Sequence, residues 1–194
     1  MENIKSERTC VIIKPDGVKR GLIGEIIRRI EQRGLKIVAL SMIWATKDQI
    51  DSHYPKDEGW IKRLGEKTLE TYLKYNLDPI KEIGTDDPYQ IGLKVRGWLL
   101  DYMTSGPLVK MVVEGVHAID MVRKLVGHSI PAKAEMGTIR GDFSVDSPAV
   151  ANREKRAIYN LIHASETPVE AQHEIEFWFG PEEIFSYKRF EELI

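Results

Sequence analysis

Apolar positions along the chain change their period several times, and each change marks an element. Thr9-Cys10-Val11-Ile12-Ile13 is a short β-branched run that halts before Pro15, the pattern of a buried strand. Asp16-Gly17 then predicts a turn. Ile23, Ile26, Ile27 and Ile30 recur at helical spacing opposite Glu25, Arg28, Arg29 and Gln32, and Gly34 ends that helix. Leu35 to Ala45 reads as a second strand. Thr46, with Gln49 three places on, opens a helix with a reciprocal cap, and Tyr54-Pro55 closes it.

Residues 56 to about 105 read as mostly helical. Trp60, Leu64, Leu69, Tyr72 and Leu73 predict one amphipathic stripe, and a polar break runs from Asn76 to Asp87. Asp87-Pro88-Tyr89-Gln90 is a fresh helix start, with Ile91, Val95, Trp98, Leu99 and Tyr102 as its inner stripe. Ser105-Gly106-Pro107 stops it. Leu108 to Val113 is a third strand, and Ala118, Met121, Val122 and Leu125 mark a helix that Gly127 ends. Ser129 to about Asp146 reads as a long surface loop, Pro148 to Arg156 as a short helix, and Ala157 to His163 as a fourth strand. Thr167-Pro168-Val169-Glu170 starts a last helix, with Val169, Ala171, Ile175 and Trp178 on its inner face.

The order β-α-β-(helices)-β-α-β defines an α/β (α+β) fold of the ferredoxin-like, split βαβ type. The expectation is a four-stranded antiparallel sheet with helices on one face. No repeat or low-complexity linker divides the chain, so residues 1–194 are read as one domain with a helical insertion at about 56–97. The architecture hosts many activities, and function has to come from the site.

Composition narrows the classes. The 194 residues are 42% hydrophobic and 30% charged, with a formal net charge of -2. That is ordinary for a globular domain and argues against a dedicated nucleic-acid surface. Cys10 is the only cysteine, so an intramolecular disulfide and a cysteine-based zinc site are both ruled out. The start, Met1 to Arg8, is polar and has no signal-peptide character, and no apolar stretch reaches membrane-spanning length. A cytoplasmic protein with no membrane contact is expected.

The chemistry concentrates at three places. His163 lies in Asn160-Leu161-Ile162-His163-Ala164-Ser165, with a small residue and a hydroxyl beside the imidazole. It reads either as a strand-end histidine satisfied by backbone or as a nucleophile. A histidine nucleophile divides one phosphoryl transfer between nucleotides into two displacements at one site. Lys14 leaves a buried strand just before a proline turn, which puts its ammonium at the sheet's edge, either solvated or facing an anion. The forks of Arg123 and Arg140 match phosphate oxygens, and Arg140 sits between glycines. Tyr54 and Asn160 suit hydrogen bonding to a transferring group or a sugar as well as plain packing. His53, His117, His128 and His173 have no ligand spacing and read as surface or core-edge residues.

Taken together these segments resemble one family. Lys14-Pro15-Asp16-Gly17-Val18-Lys19-Arg20-Gly21-Leu22-Ile23-Gly24-Glu25-Ile26-Ile27 is similar to the opening of nucleoside diphosphate kinases nearly residue for residue. Ser105 to Val109, Gly137 to Phe143 and Asn160 to Ser165 are similar to further motifs of that family in the same order. Trp178-Phe179, Pro181-Glu182-Glu183 and Tyr187-Lys188 resemble its C-terminal signature. The resemblance implies ping-pong transfer of the γ-phosphate of a nucleoside triphosphate to a nucleoside diphosphate, with broad base selectivity. It makes His163 the phosphorylated residue, on Nδ1, with Glu174 on the other ring nitrogen and Ser165 supporting that glutamate. It assigns Lys14, Tyr54 and Asn160 to the γ-phosphate and the 3′-hydroxyl, and Arg123, Ser129 and Arg140 to the other phosphates. It also implies Mg²⁺ carried by nucleotide phosphates without direct protein ligands, and a homo-oligomer, hexameric or tetrameric.

The chain departs from the family pattern in places. Ala164 replaces the usual glycine beside the histidine, which requires a negative φ there. Ser129 replaces threonine, and Glu166-Thr167 replaces Asp-Ser. About ten residues are added around Ser147 to Arg156, and the added helical segment falls where the family's base-stacking aromatic lies. Trp60 is the candidate for that role and Trp98 the alternative, while both also suit the core of the extra helices. A nucleotide-sensing domain without catalysis is the competing reading.

Overall fold

The computed structural model describes residues 6–189, so the first five residues of the polar start lie outside the described part. Four strands, β1 (Glu7–Ile13), β2 (Lys36–Ile43), β3 (Leu108–Gly115) and β4 (Ile162–Ala164), form one antiparallel sheet in the order β2-β3-β1-β4. Between β1 and β2 come α1 (Pro15–Lys19) and α2 (Ile23–Gln32). The long β2 to β3 connection holds α3 (Lys47–His53), α4 (Glu58–Lys74), α5 (Pro79–Ile83) and α6 (Pro88–Met103). Then follow α7 (Ala118–Val126), α8 (Ile139–Phe143) and α9 (Pro148–Arg153) before β4, and α10 (Pro168–Trp178) after it.

The crossover helices α2 and α7 cover one face of the sheet, where Val11, Ile13, Ile26, Ile30, Val113 and Val122 pack together. Helices cover the other face as well: Cys10, Ile12 and Val112 pack there against Ile50 of α3, Leu100 and Met103 of α6, and Trp178 of α10. The central strands require this double cover, because β1 is buried at every position from Thr9 to Ile13.

Several local signals act as their chemistry dictates. The Thr46–Gln49 reciprocal cap forms at α3, and the side chains of Asp87 and Thr167 cap α6 and α10. Other stretches differ from the reading above. Asp16-Gly17 is not a simple turn but part of the one-turn helix α1, started by Pro15. The 129–146 segment is not one open loop, since it contains α8, capped by the Thr138 hydroxyl, and a 3₁₀ turn at Pro131–Lys133. The buried stripe of α4 is Ile61, Gly65, Thr68 and Tyr72, while Leu73 is exposed. The shift follows from α6 crossing at the glycines: a Cβ on Gly65 would lie 1.7 Å from the Pro88 carbonyl, and one on Gly92 would lie 1.9 Å from that of Ile61. In α10, Val169 points outward and Glu174 takes a buried place beside Ala171 and Trp178.

The expected strand from Ala157 shrinks to Ile162–Ala164. Leu161 explains this. Its φ is 68°, in the left-handed region, so the chain cannot run extended through it. Two groups from the start of α1 hold it there: the Leu161 N–H donates to Asp16 Oδ2 at 3.1 Å, and its carbonyl accepts from the Lys14 N–H at 2.8 Å. Ala164 is not among the left-handed residues, so its methyl fits.

Candidate active site

Register places the chemistry. His163 pairs with Ile12 across β4 and β1, and residues directly opposite on neighbouring strands share a face. Cys10, Ile12, Lys14 and His163 therefore line the side covered by α3, α6 and α10.

Glu174, in the second turn of α10 and on its buried side, is 2.8 Å from His163 Nε2. This leaves Nδ1 as the ring nitrogen not held by the carboxylate. Ser165 donates its hydroxyl to Glu174 Oε2 at 2.6 Å and is itself fixed to the Cys10 backbone. Burial raises the Glu174 pKa, but the hydrogen bond and charge of His163 and the bond from Ser165 outweigh it, so the carboxylate sits below its ordinary value.

Lys14 is buried, and its Nζ donates to Asn160 Oδ1 at 2.8 Å. Desolvation, reinforced by the Arg140 guanidinium and partly offset by Asp16, lowers its pKa to about 7. The Lys14 ammonium also lies over the Tyr102 ring, 5.6 Å from the centroid. Tyr102 itself donates to Asp16 Oδ1 at 2.5 Å, which ties α6 to the start of α1.

Arg140 is buried, and it buttresses the histidine segment from behind. Its Nε, Nη1 and Nη2 donate to the carbonyls of Asn160 (3.0 Å), Gly127 (2.9 Å) and Ile162 (2.5 Å). A guanidinium has five N–H groups, so two remain for an anion. Desolvation lowers its pKa to about 10, which still leaves it charged at neutral pH.

The other expected residues lie around this centre. Asn160 donates its amide to the Ser129 carbonyl at 3.0 Å, so Ser129 joins through backbone and its hydroxyl remains available. Arg123 is exposed at the end of α7 and paired with Glu166 at 2.8 Å. Tyr54 and Trp60 stack at 6.1 Å with an interplanar angle of 28°. Desolvation and the Glu174 charge push the Tyr54 phenol up. Trp98 packs against the apolar cores instead.

One residue read as surface or core edge belongs here. His53, at the end of α3, has a side chain only 2% exposed and lies 3.7 Å from Glu174. Its ring is edge-on to that of His163, with centroids 5.1 Å apart. The Trp178 indole N–H donates to His53 Nδ1 at 3.3 Å. Desolvation, with the charge of His163, lowers the His53 pKa to about 3, so the ring is neutral. The sequence offered no signal for it, because its partners lie more than a hundred residues away.

Fold and site together define a ferredoxin-like domain with a carboxylate-held histidine beside buried and exposed cations, the equipment of phosphoryl transfer. Known proteins agree. A family model described as nucleoside diphosphate kinase matches residues 7–63 and 95–184. A nucleoside diphosphate kinase of Pyrobaculum aerophilum is 51% identical over 178 residues, 92% of this chain and 97% of that one. The crystal structure of an NDP kinase from Pyrobaculum aerophilum superposes with a TM-score of 0.90 at 49% identity, covering 93% of this chain and 100% of that chain. A transition-state mimic of the Borrelia burgdorferi nucleoside-diphosphate kinase, with bound vanadate and ADP, gives a TM-score of 0.75 at 35% identity, over 98% and 96%. The chain belongs to the nucleoside diphosphate kinase family. It is an enzyme that moves the γ-phosphate of a nucleoside triphosphate onto a nucleoside diphosphate, in two displacements through a phosphohistidine.

Proposed function

We propose that His163 is the phosphorylated residue and that Nδ1 is the attacking nitrogen. The observation that carries this is the 2.8 Å contact of Glu174 with Nε2. As the N–P bond forms and the bond from Pγ to the leaving oxygen breaks, the ring gains positive charge. Glu174 stabilises that charge through the Nε2 proton, and Ser165 keeps the carboxylate in place. Nucleoside diphosphate leaves, a second one enters, and the reverse displacement discharges the histidine.

Lys14, Asn160 and Tyr54 serve the γ-phosphate and the sugar hydroxyl. Arg140 offers its two remaining N–H groups, and Arg123, once released from Glu166, reaches the outer phosphates with Ser129. Trp60, stacked on Tyr54, is the platform for the base, and stacking tolerates every base, so selectivity is broad. Mg²⁺ supplies charge neutralisation on the phosphate oxygens. It favours oxygen donors, and the family resemblance would have it held on the nucleotide phosphates, without direct protein ligands.

The chain is one domain with a helical insertion at about 56–97, a reading supported by the interruption of the family match between residues 63 and 95. It works as a homo-oligomer, hexameric or tetrameric. Supporting this, the sheet-edge strand β2 exposes Leu40 and Met42, with Trp44 just beyond. A cytoplasmic setting fits a chain in which no described helix is long and apolar enough to cross a membrane.

Incubation with γ-labelled ATP tests the nucleophile. Wild type takes up label that is acid-labile and base-stable, and His163→Ala takes up none. A His163→Ala protein that still labels and still equilibrates ATP with GDP removes the assignment.

A further inference from the structure

We propose that His53, His163 and Glu174 form a binding site for one transition-metal dication of the zinc type, and that its occupancy switches the enzyme off. The inhibitory consequence rests on His163 being the nucleophile; the binding itself does not.

The geometry comes first. Each of the three residues offers a ligand atom, and these atoms all lie within 4.8 Å of one another. Four-coordinate zinc holds nitrogen and oxygen ligands at about 2.0–2.1 Å, which sets neighbouring ligands roughly 3.4 Å apart. Two edges of the cluster, 2.8 Å from His163 Nε2 to Glu174 and 3.7 Å from His53 Nδ1 to Glu174 Oε1, bracket that value. The third edge, between the two imidazoles, is the widest, within 4.8 Å, and closes toward that spacing as the ion binds. Two imidazoles and one carboxylate are also a set that holds zinc with a fourth position open.

The ligands are in the right state. A metal needs an unprotonated nitrogen. The Trp178 indole is a donor only, so the nitrogen it faces, His53 Nδ1, carries the lone pair. At 3.3 Å that hydrogen bond is long, and it is the contact exchanged for the metal. Glu174 is held by Ser165, which orients it as outer-shell partners orient ligands. Room exists as well: a cavity of about 470 Å³, bordered by His53, Glu174, Glu170 and His173, adjoins the cluster.

The same donors discriminate. Mg²⁺ demands oxygen ligands and keeps its waters, so the ion needed by the reaction does not compete. A zinc-type ion takes the place of the Nε2 proton of His163, which leaves to solvent. The cation then withdraws electron density from the ring, weakening Nδ1 as a nucleophile, and Glu174 is committed to the metal.

The test uses the metal-stripped full chain with Co²⁺ as a spectroscopic probe and Zn²⁺ in calorimetry. The expected result is one ion per chain, with visible d–d bands of a four-coordinate site. His163→Ala and His53→Ala each weaken Zn²⁺ binding by more than about 100-fold, beyond what outer-shell changes do. Zn²⁺ at one equivalent stops ATP–GDP exchange in excess Mg²⁺, and a zinc-selective chelator restores it. If His53→Ala fails to fold by circular dichroism, His163→Ala and Glu174→Gln decide. No uptake by wild type, or uptake unchanged in the variants, overturns the site. Binding without inhibition overturns the switch. A protein that binds Co²⁺ as expected but never labels with ATP retains the metal site and refutes the phosphohistidine assignment instead.

Discussion

Arg140→Lys keeps the positive charge and removes the fork, so it separates the two jobs of this residue. In the wild type three carbonyls, those of Asn160, Gly127 and Ile162, are satisfied by three different nitrogens of one guanidinium. An ammonium is a compact point donor and reaches one of them. The Asn160 carbonyl keeps the Ile162 N–H at 2.8 Å, so the Gly127 or the Ile162 carbonyl is left without this partner, at about 1–3 kcal/mol. A loss of about 2 kcal/mol is the expected outcome. For a chain of this size each kcal/mol lowers Tm by about 2–4 °C, so the melt should fall by roughly 4–8 °C. Differential scanning calorimetry of wild type and variant at equal protein concentration, without nucleotide, measures it. A fall of less than about 2 °C, together with a raised KM, would refute the buttress and leave Arg140 as a phosphate ligand alone.

Three further outcomes follow from other parts of the site and the insertion. Lys14 binds phosphate only when protonated, and its pKa is lowered to about 7, so kcat/KM for Mg·ATP should fall as pH rises through that value. Lys14→Arg should flatten that limb, and a limb that persists in the variant sinks the attribution. The stability slope runs the other way: the unfolded lysine still binds its proton between about pH 7 and 10, so the Lys14 contribution to stability rises with pH across that window. Denaturant melts of wild type against Lys14→Met read this slope directly. Glu174→Gln should slow phosphoenzyme formation in quenched flow by about 100-fold, the low end for a positioned acid–base group, with KM little changed. A KM effect alone would reassign Glu174 to binding. Gly92→Ala would put a methyl carbon 1.9 Å from the Ile61 carbonyl. The α4–α6 crossing should loosen by about 3 kcal/mol and residues 58–103 should become protease-sensitive; an unchanged digestion pattern argues against the close crossing.

The parts of this molecule legible in the sequence are those set by neighbours in the chain. The Thr46, Asp87 and Thr167 caps act within one helical turn, and the β-branched run of β1 needs only its own alternation-free apolarity. Local motifs mark His163, Lys14 and Asn160, the family resemblance adds Glu174, and the fold brings the four together as hydrogen-bonded pairs. What stayed hidden depends on partners remote in sequence. His53 is defined by Trp178 and Glu174, and nothing in Ser52-His53-Tyr54 announces them. Arg140 read as a cation for phosphate because carbonyl acceptors leave no mark in a sequence. The true stripe of α4 follows from a glycine contact with α6, which a hydrophobicity pattern cannot register because glycine has no side chain to count.

Leu161 gives the opening motif a mechanical meaning. A left-handed backbone at a branched residue costs about 1–2 kcal/mol, and glycine would relax it but forfeit a side chain that is fully buried. The chain therefore keeps the twist and clamps it from Lys14 and Asp16. A Cβ on Gly17 would stand 2.9 Å from the Leu161 oxygen, so a bare α-carbon is obligatory where the two segments touch. The Lys-Pro-Asp-Gly tetrad is thus the vice in which the reactive imidazole's strand is set. The letters Asp16 and Gly17 are thereby constrained by a residue more than a hundred positions downstream, and any redesign of one must change the other.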